Sequence, residues 1–188
     1  MVRRSLVLIV LVSGLLAASL GTAQAATVSP DKWAPKFCKA VQKWQKTLES
    51  ESNAATDAFG NMSSGDLAGV RAEFVRFLGN DVAATRTAIK SIKQAGTPSS
   101  ANGAKIQRKI VAGFQSAATV FDKAKTDAQA LSTTDATSFV DDATKIQDGL
   151  GTATDVFEKN FSDVSTLDKD NELAKAIQSA SACKFLTG

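Results

Sequence analysis

The sequence predicts an all-α protein: an antiparallel up-down-up-down four-helix bundle with a short fifth helix, its terminal segments tied by a disulfide. Three observations predict it. Apolar residues recur at helical four-three spacing in four long segments. Short breaks rich in Gly, Pro and Ser separate those segments. Alanine makes up roughly one residue in six, and there are only three prolines and no tyrosine, a mix that favours long helices over sheets.

The first segment runs from about Ser29 to Phe59, with Trp33, Phe37, Val41, Trp44, Leu48 and Ala55 on its apolar face. Pro30 suits a helix start, and Pro35 predicts a distorted first turn. Gly60-Asn61 ends the segment. The second runs from about Gly65 to Ala95, capped by Ser63-Ser64, along Leu67, Val70, Phe74, Leu78, Val82, Thr85, Ile89 and Ile92. Gly96-Thr97-Pro98 stops it. The third, about Ser100 to Leu131, carries Ile110, Phe114, Ala117, Phe121, Ala124, Ala128 and Leu131. The fourth starts at the cap candidates Thr133 and Thr134 and reaches about Val164, with Phe139, Ala143, Ile146, Leu150, Ala153 and Phe157. The fifth, about Lys169 to Lys184, presents Leu173, Ile177, Ala180 and Cys183. Helices of about 30 residues make a bundle roughly 45 Å long.

The first 25 residues read differently. Arg3 and Arg4 precede an uncharged run from Leu6 to Leu20, and Ala23-Gln24-Ala25 follows. This is the pattern of a secretory signal peptide cleaved near Ala25, which leaves residues 26–188 as one domain. Only Arg3 and Arg4 carry charge in the leader, so the net charge of +3 falls to about +1 in the mature chain. Global charge therefore gives no argument for nucleic acid. Outside the cytoplasm Cys38 and Cys183 are expected to bond, closing a loop of nearly the whole mature chain. The chain-entropy account assigns such a loop about 5 kcal/mol. Lipidation of Cys38 is the rival reading, but Ala26, not a cysteine, stands at the cleavage site.

The absence of histidine excludes Ser-His-Asp and Cys-His catalysis and histidine metal ligation. No cofactor, metal or catalytic residue is expected. Asp141-Asp142 is an adjacent acidic pair whose side chains diverge by about 100° on a helix. Asn61-Met62-Ser63 matches a glycosylation acceptor and is given little weight in this chain.

Two constellations carry candidate function. Lys32, Lys36, Lys39, Lys43 and Lys46 line one edge of the first helix. They form either a patch for an anionic surface, lipid or wall polymer, or a solvated flank. In the expected topology the fourth helix lies beside them and offers Asp141, Asp142, Asp148, Asp155, Glu158 and Asp163, which favours the solvated flank. Gly79, Gly113, Gly149 and Gly151 each fall near mid-helix, at the expected level of Trp44. They make room for a buried indole that touches two other helices, or they form a waist that holds a small apolar ligand.

Trp33-Ala34-Pro35-Lys36-Phe37-Cys38 near one end and Ala182-Cys183-Lys184-Phe185-Leu186 at the other give the chain a further likeness. It resembles small Ala-rich exported helical proteins and lipoproteins of high-GC Gram-positive bacteria, most of them uncharacterised. The resemblance implies a bacterial, secreted helical protein and no catalytic residue. The chain lacks the lipobox cysteine of the lipoprotein members. The expected function is a non-enzymatic secreted binding or structural module, with a carrier of a small apolar ligand as the alternative.

Overall fold

The computed structural model of the protein describes residues 27–63 and 65–186, without the side chains of Thr152, Ala153, Thr154, Val156, Phe157, Glu158, Asn160, Phe161 and Asp163. The leader sequence, the expected capping residue Ser64, and the side chains of the stripe positions Ala153 and Phe157 lie outside the described residues. Strand β1 (Thr27–Val28) leads into α1 (Pro30–Gly60), followed by α2 (Leu67–Gln94), β2 (Thr97–Pro98), α3 (Gly103–Gln129), α4 (Ala136–Leu167) and α5 (Glu172–Ser179). A 3₁₀ helix, Ser181–Leu186, ends the described chain. The protein is mostly helical, and each long helix lies within a few residues of its sequence stripe.

The helix starts use different residues from those expected. Asp66, not Ser63, caps α2 by accepting from the Gly69 amide at 2.9 Å. Asp135, not Thr133 or Thr134, caps α4 by accepting from the Thr137 amide at 3.0 Å. Its carboxyl is held below the usual range by the Ser138 hydroxyl, which also donates to it. Asp168 reaches forward to accept from the amides of Leu173 and Ala174, the latter at 2.8 Å, and so starts α5. Asn102 does not cap α3. Its amide donates to the Leu167 carbonyl at 2.8 Å and ties the start of α3 to the end of α4. α1 runs unbroken through Pro35, so the expected distortion is confined to the bond that proline cannot donate.

The break at Gly96-Thr97-Pro98 is more than a stop. Gly96 takes a positive φ of 91°, which glycine accommodates without strain. Thr97-Pro98 then pairs in parallel with Thr27-Val28. The Ser99 amide donates to the Val28 carbonyl at 2.8 Å. This pairing fastens the residues before α1 to the α2–α3 connection.

Consecutive long helices pack antiparallel. Trp44 meets Thr85 and Glu51 meets Arg76 across α1 and α2, so the numbers run in opposite directions. Arg71 with Leu131 and Gln107 with Ile92 show the same for α2 and α3. Asn102 with Leu167 shows it for α3 and α4. The extensive pairings are α1–α2, α2–α3 and α3–α4, with α5 and the 3₁₀ helix against α1. Among the described residues, α4 is not an extensive partner of α1. The expected packing of the fourth helix along the first is thus not seen among these residues, although Val164 and Leu167, at the end of α4, reach the cluster that α1 helps to build. The C-terminal segment packs there: α5 and the 3₁₀ helix, which carries the bonded Cys183, lie against α1. Cys38 and Cys183 are joined, with Cα atoms 5.1 Å apart and both residues fully buried.

Buried apolar side chains fall into two clusters. One joins Trp33, Phe37, Cys38 and Val41 of α1 with Ala88 and Ile92 of α2, Ile106, Ile110 and Phe114 of α3, Leu173 and Ala176 of α5, and Cys183. The other joins Leu78 of α2, Ala124 and Ala128 of α3, Leu131, and Phe139 and Ile146 of α4. No helix among the described residues is long and apolar enough to cross a membrane.

Candidate functional site: the α1–α2 cleft at Trp44

The helical repeat carries α1 from Trp33 through Phe37 and Val41 to Trp44 on one face, so the second indole arrives where the first cluster ends. Trp44 is half-buried. Its indole N–H donates to the Thr85 hydroxyl on α2 at 3.0 Å. Its ring meets Phe114 of α3 edge-on, with centroids 4.9 Å apart. The expected contact with two other helices is thus present, while the burial is only partial. Thr85 is fully buried and donates in turn to the Asp81 carbonyl at 2.7 Å.

The exposed part of Trp44 opens on a cleft of about 360 Å³ between α1 and α2. Ala40, Lys43, Trp44, Thr47 and Glu51 line it from α1, and Asn80, Ala83, Ala84, Thr87, Ala88 and Ser91 from α2. Small residues on α2 leave the volume that larger side chains would fill. The lining is mixed: alanines and the indole in the middle, with lysine, carboxylate, amide and hydroxyl groups around them.

One end of the cleft is a polar network. The Asn80 amide donates to Glu51 at 2.7 Å, and Arg76 bonds both Glu51 at 3.0 Å and Glu73 at 2.9 Å. The Asn80 hydrogen bond, foremost, and the Arg76 guanidinium hold the Glu51 carboxyl below its ordinary range. Beside this network sits Asp81, only 4% exposed, with its Oδ1 atom lacking a hydrogen-bond partner. Burial, and secondarily the Glu51 charge, push its carboxyl up to about 7. A carboxylate at that position lacks the compensation a buried charge needs, so the neutral acid is favoured.

The sequence marked Trp44 and missed Asp81. The signal was present: Leu78, Asp81, Val82 and Thr85 stand at i, i+3, i+4 and i+7, so the acid lies within the apolar stripe. Gln107 is another polar residue hidden inside a stripe. It accepts from the Trp33 indole at 3.2 Å and donates to the Ile92 carbonyl at 2.8 Å.

The glycines do not gather around Trp44. A side chain at Gly79 would meet the aliphatic stem of Lys125, in the α2–α3 groove. Gly149 and Gly151 are exposed, with open space where a side chain would stand. Gly113 is buried one residue before Phe114. Among the described residues the glycines form no waist, and the opening at Trp44 is a cleft between α1 and α2.

Lys32, Lys36, Lys39, Lys43 and Lys46 are all exposed along α1. Among the described residues none of the acids expected to face them is ion-paired with them. Asp142 pairs within α4 with Lys145 at 2.8 Å, and the side chains of Glu158 and Asp163 lie outside the described residues. Asp141, Asp148 and Asp155 are exposed. Among the described residues, no three His, Cys, Asp or Glu side chains gather into a metal site. Comparison with family models, with curated proteins and with solved structures returns no match for this chain.

Proposed function

We propose that the protein is an exported, non-enzymatic binding module that takes a small amphipathic ligand in the α1–α2 cleft at Trp44. In this reading the leader is removed near Ala25, and the mature antiparallel bundle works outside the cell with Cys38–Cys183 as its staple. The observation that carries it is the cleft itself. Its volume of about 360 Å³ falls within the usual range for ligand sites, and a half-exposed indole forms one wall. An aromatic face among alanines suits an apolar body. Glu51, Asn80, Lys43 and Thr87 at the margins suit polar groups on the same ligand. This mixed lining supports an amphipathic ligand over the wholly apolar one of a simple carrier. The lack of any histidine supports binding over catalysis.

Native mass spectrometry of the protein purified from its own culture supernatant tests the reading. The expected result is a bound mass that is released by mild activation and is absent from the Trp44→Ala protein. Trp44 emission should shift when the released ligand is added back. A clean apo mass together with unchanged emission across a panel of amphipathic compounds would remove the ligand and leave a purely structural module.

A further inference from the structure

The lysine edge of α1 acquires a context in the fold that the sequence did not suggest. Lys32, Lys36, Lys39, Lys43 and Lys46 are exposed, span about 21 Å of helix, and follow one another every three or four residues. From residue 30 to residue 48, Asp31 is the only acid. Among the described residues, the ion pairs join Arg76 to Glu51 and Glu73, Arg86 to Asp122, Lys123 to Asp127 and Lys145 to Asp142. None includes a lysine of this edge.

The antiparallel topology also sorts charge by end. Residues 86–115 carry Arg86, Lys90, Lys93, Lys105, Arg108 and Lys109 and no acid. They form the last part of α2 and the first part of α3, which pack at the same end as the first half of α1. At the opposite end, residues 49–85 carry six acids against Arg71 and Arg76. Without its leader the chain is almost neutral in total yet strongly bipolar along its length. Such a field orients an approaching polyanion toward the α1 end and away from the other.

We infer that the lysine edge of α1 is a docking site for a linear polyanion, a polymer bearing phosphate groups at regular intervals. Charge complementarity sets the sign of the partner, and the row of evenly spaced ammonium groups sets its shape. A bilayer is the weaker match. An amphipathic helix binds a membrane by burying its apolar face, and the apolar face of α1 is committed to the core through Trp33, Phe37, Cys38 and Val41. Of the five lysines only Lys43 also lines the cleft, so a filled or empty cleft leaves Lys32, Lys36, Lys39 and Lys46 in place.

The test uses the mature, oxidised chain with inorganic polyphosphate and poly(glycerol phosphate) as probes, followed calorimetrically over a range of salt. Docking along five lysines predicts a slope of log K against log salt of about −3.5, by the counterion release of a single-stranded polyanion. Lys36→Gln, Lys39→Gln and Lys46→Gln together should weaken binding at least tenfold and reduce the slope by about 2. A control triple at the same end, Lys93→Gln, Lys105→Gln and Arg108→Gln, should weaken it less than threefold, because those groups supply only the field. Equal losses in the two triples would overturn the docking site in favour of diffuse attraction. So would absence of binding, or tighter binding to anionic phospholipid vesicles than to either polymer. Unchanged circular dichroism and an intact disulfide in each triple confirm that the comparison is made between folded proteins.

Discussion

The two ends of the molecule are built on different terms. At the end holding Trp33, α1, α2, α3, α5 and the 3₁₀ helix converge, joined by Val164 and Leu167 from the end of α4, and the large side chains are almost wholly buried: Trp33 is 1% exposed, Phe37 3%, and Ile106 and Phe114 0%. Trp33 stacks on Phe37 with centroids 4.7 Å apart, its N–H is satisfied by Gln107, and the disulfide closes the packing. At the far end α2, α3 and α4 build the second cluster, while the second half of α1 lies alongside α2 with Ala55 buried and Glu51 paired to Arg76. The cluster's fully buried members are largely alanine and leucine, and Phe74, Val75 and Phe77 remain half-buried. The difference teaches that the staple and the best-packed core lie together, while the far end rests on thinner burial. Asp81 marks the border between them, and the Trp44 cleft opens there.

Removing Trp33 should break the comparison most severely. Trp33→Ala should cost about 3 to 5 kcal/mol, because it empties a core position and leaves a buried Gln107 oxygen without its donor. Phe77→Ala, at a half-buried position, should cost clearly less. Denaturant unfolding of the two variants provides the check, and equal losses would mean that the ends are equivalent. Reduction of Cys38–Cys183 comes next, at about 2 to 5 kcal/mol. The helical circular dichroism should survive it, because the helices bury both clusters without the bond. Native-state hydrogen exchange should then show the tied end opening almost as readily as the far end, whereas in the oxidised protein the far end opens first.

Asp81 sharpens the border. Its folded carboxyl titrates near 7, above the ordinary 3.8. An acid whose pKa is raised by folding favours the fold fully below the unfolded value. That contribution therefore declines from about pH 4 and is gone above about pH 7. Asp81→Asn should flatten this part of the stability profile and raise stability at pH 8 by about 1 to 3 kcal/mol, since each tenfold change in proton affinity is worth about 1.4 kcal/mol. Unfolding measured from pH 4 to pH 8 decides it; an unaltered slope would show that the carboxylate is accommodated. The smallest effect should come from Arg76→Ala. Its side chain is 42% exposed at the protein surface, where each pair contributes about 0 to 1 kcal/mol.

The long helices were legible because their stripes repeat over many turns, as Trp33–Phe37–Val41–Trp44 does in α1. The disulfide was legible because two cysteines leave one pairing. The β1–β2 contact was not, since two residues carry no periodicity and their partners stand 70 positions away. The succession of long helices was legible, whereas the closure of the fourth on the first is not seen among the described residues. Nothing in a stripe says which flank of α1 a neighbour will take, and α5 with the 3₁₀ helix took one. In the site, the contact of Trp44 with two other helices followed from spacing, while its partners Thr85 and Phe114 did not. Its half-exposure followed from the width of Ala83, Ala84 and Ala88, which are cheap helix residues in the sequence and a groove wall in the fold. Asp81 was overlooked because a carboxylate inside a stripe is easily read as an interruption, when the i+3 step from Leu78 already placed it inward.

The bond between Cys38 and Cys183 spans 145 positions in the chain and lies close to both of its described ends. A pull applied to those ends therefore bypasses the bundle. Tension can peel away the β1 contact and the first turns of α1, and the last turn beyond Cys183. It then passes through the sulfur–sulfur bond, and α2, α3 and α4 carry none of it. Under load the oxidised protein should extend by only a few nanometres and keep its cleft. After reduction the same load should unravel the helices over the full contour of the chain. Stretched between two attachments, the oxidised molecule behaves as a short, stiff link.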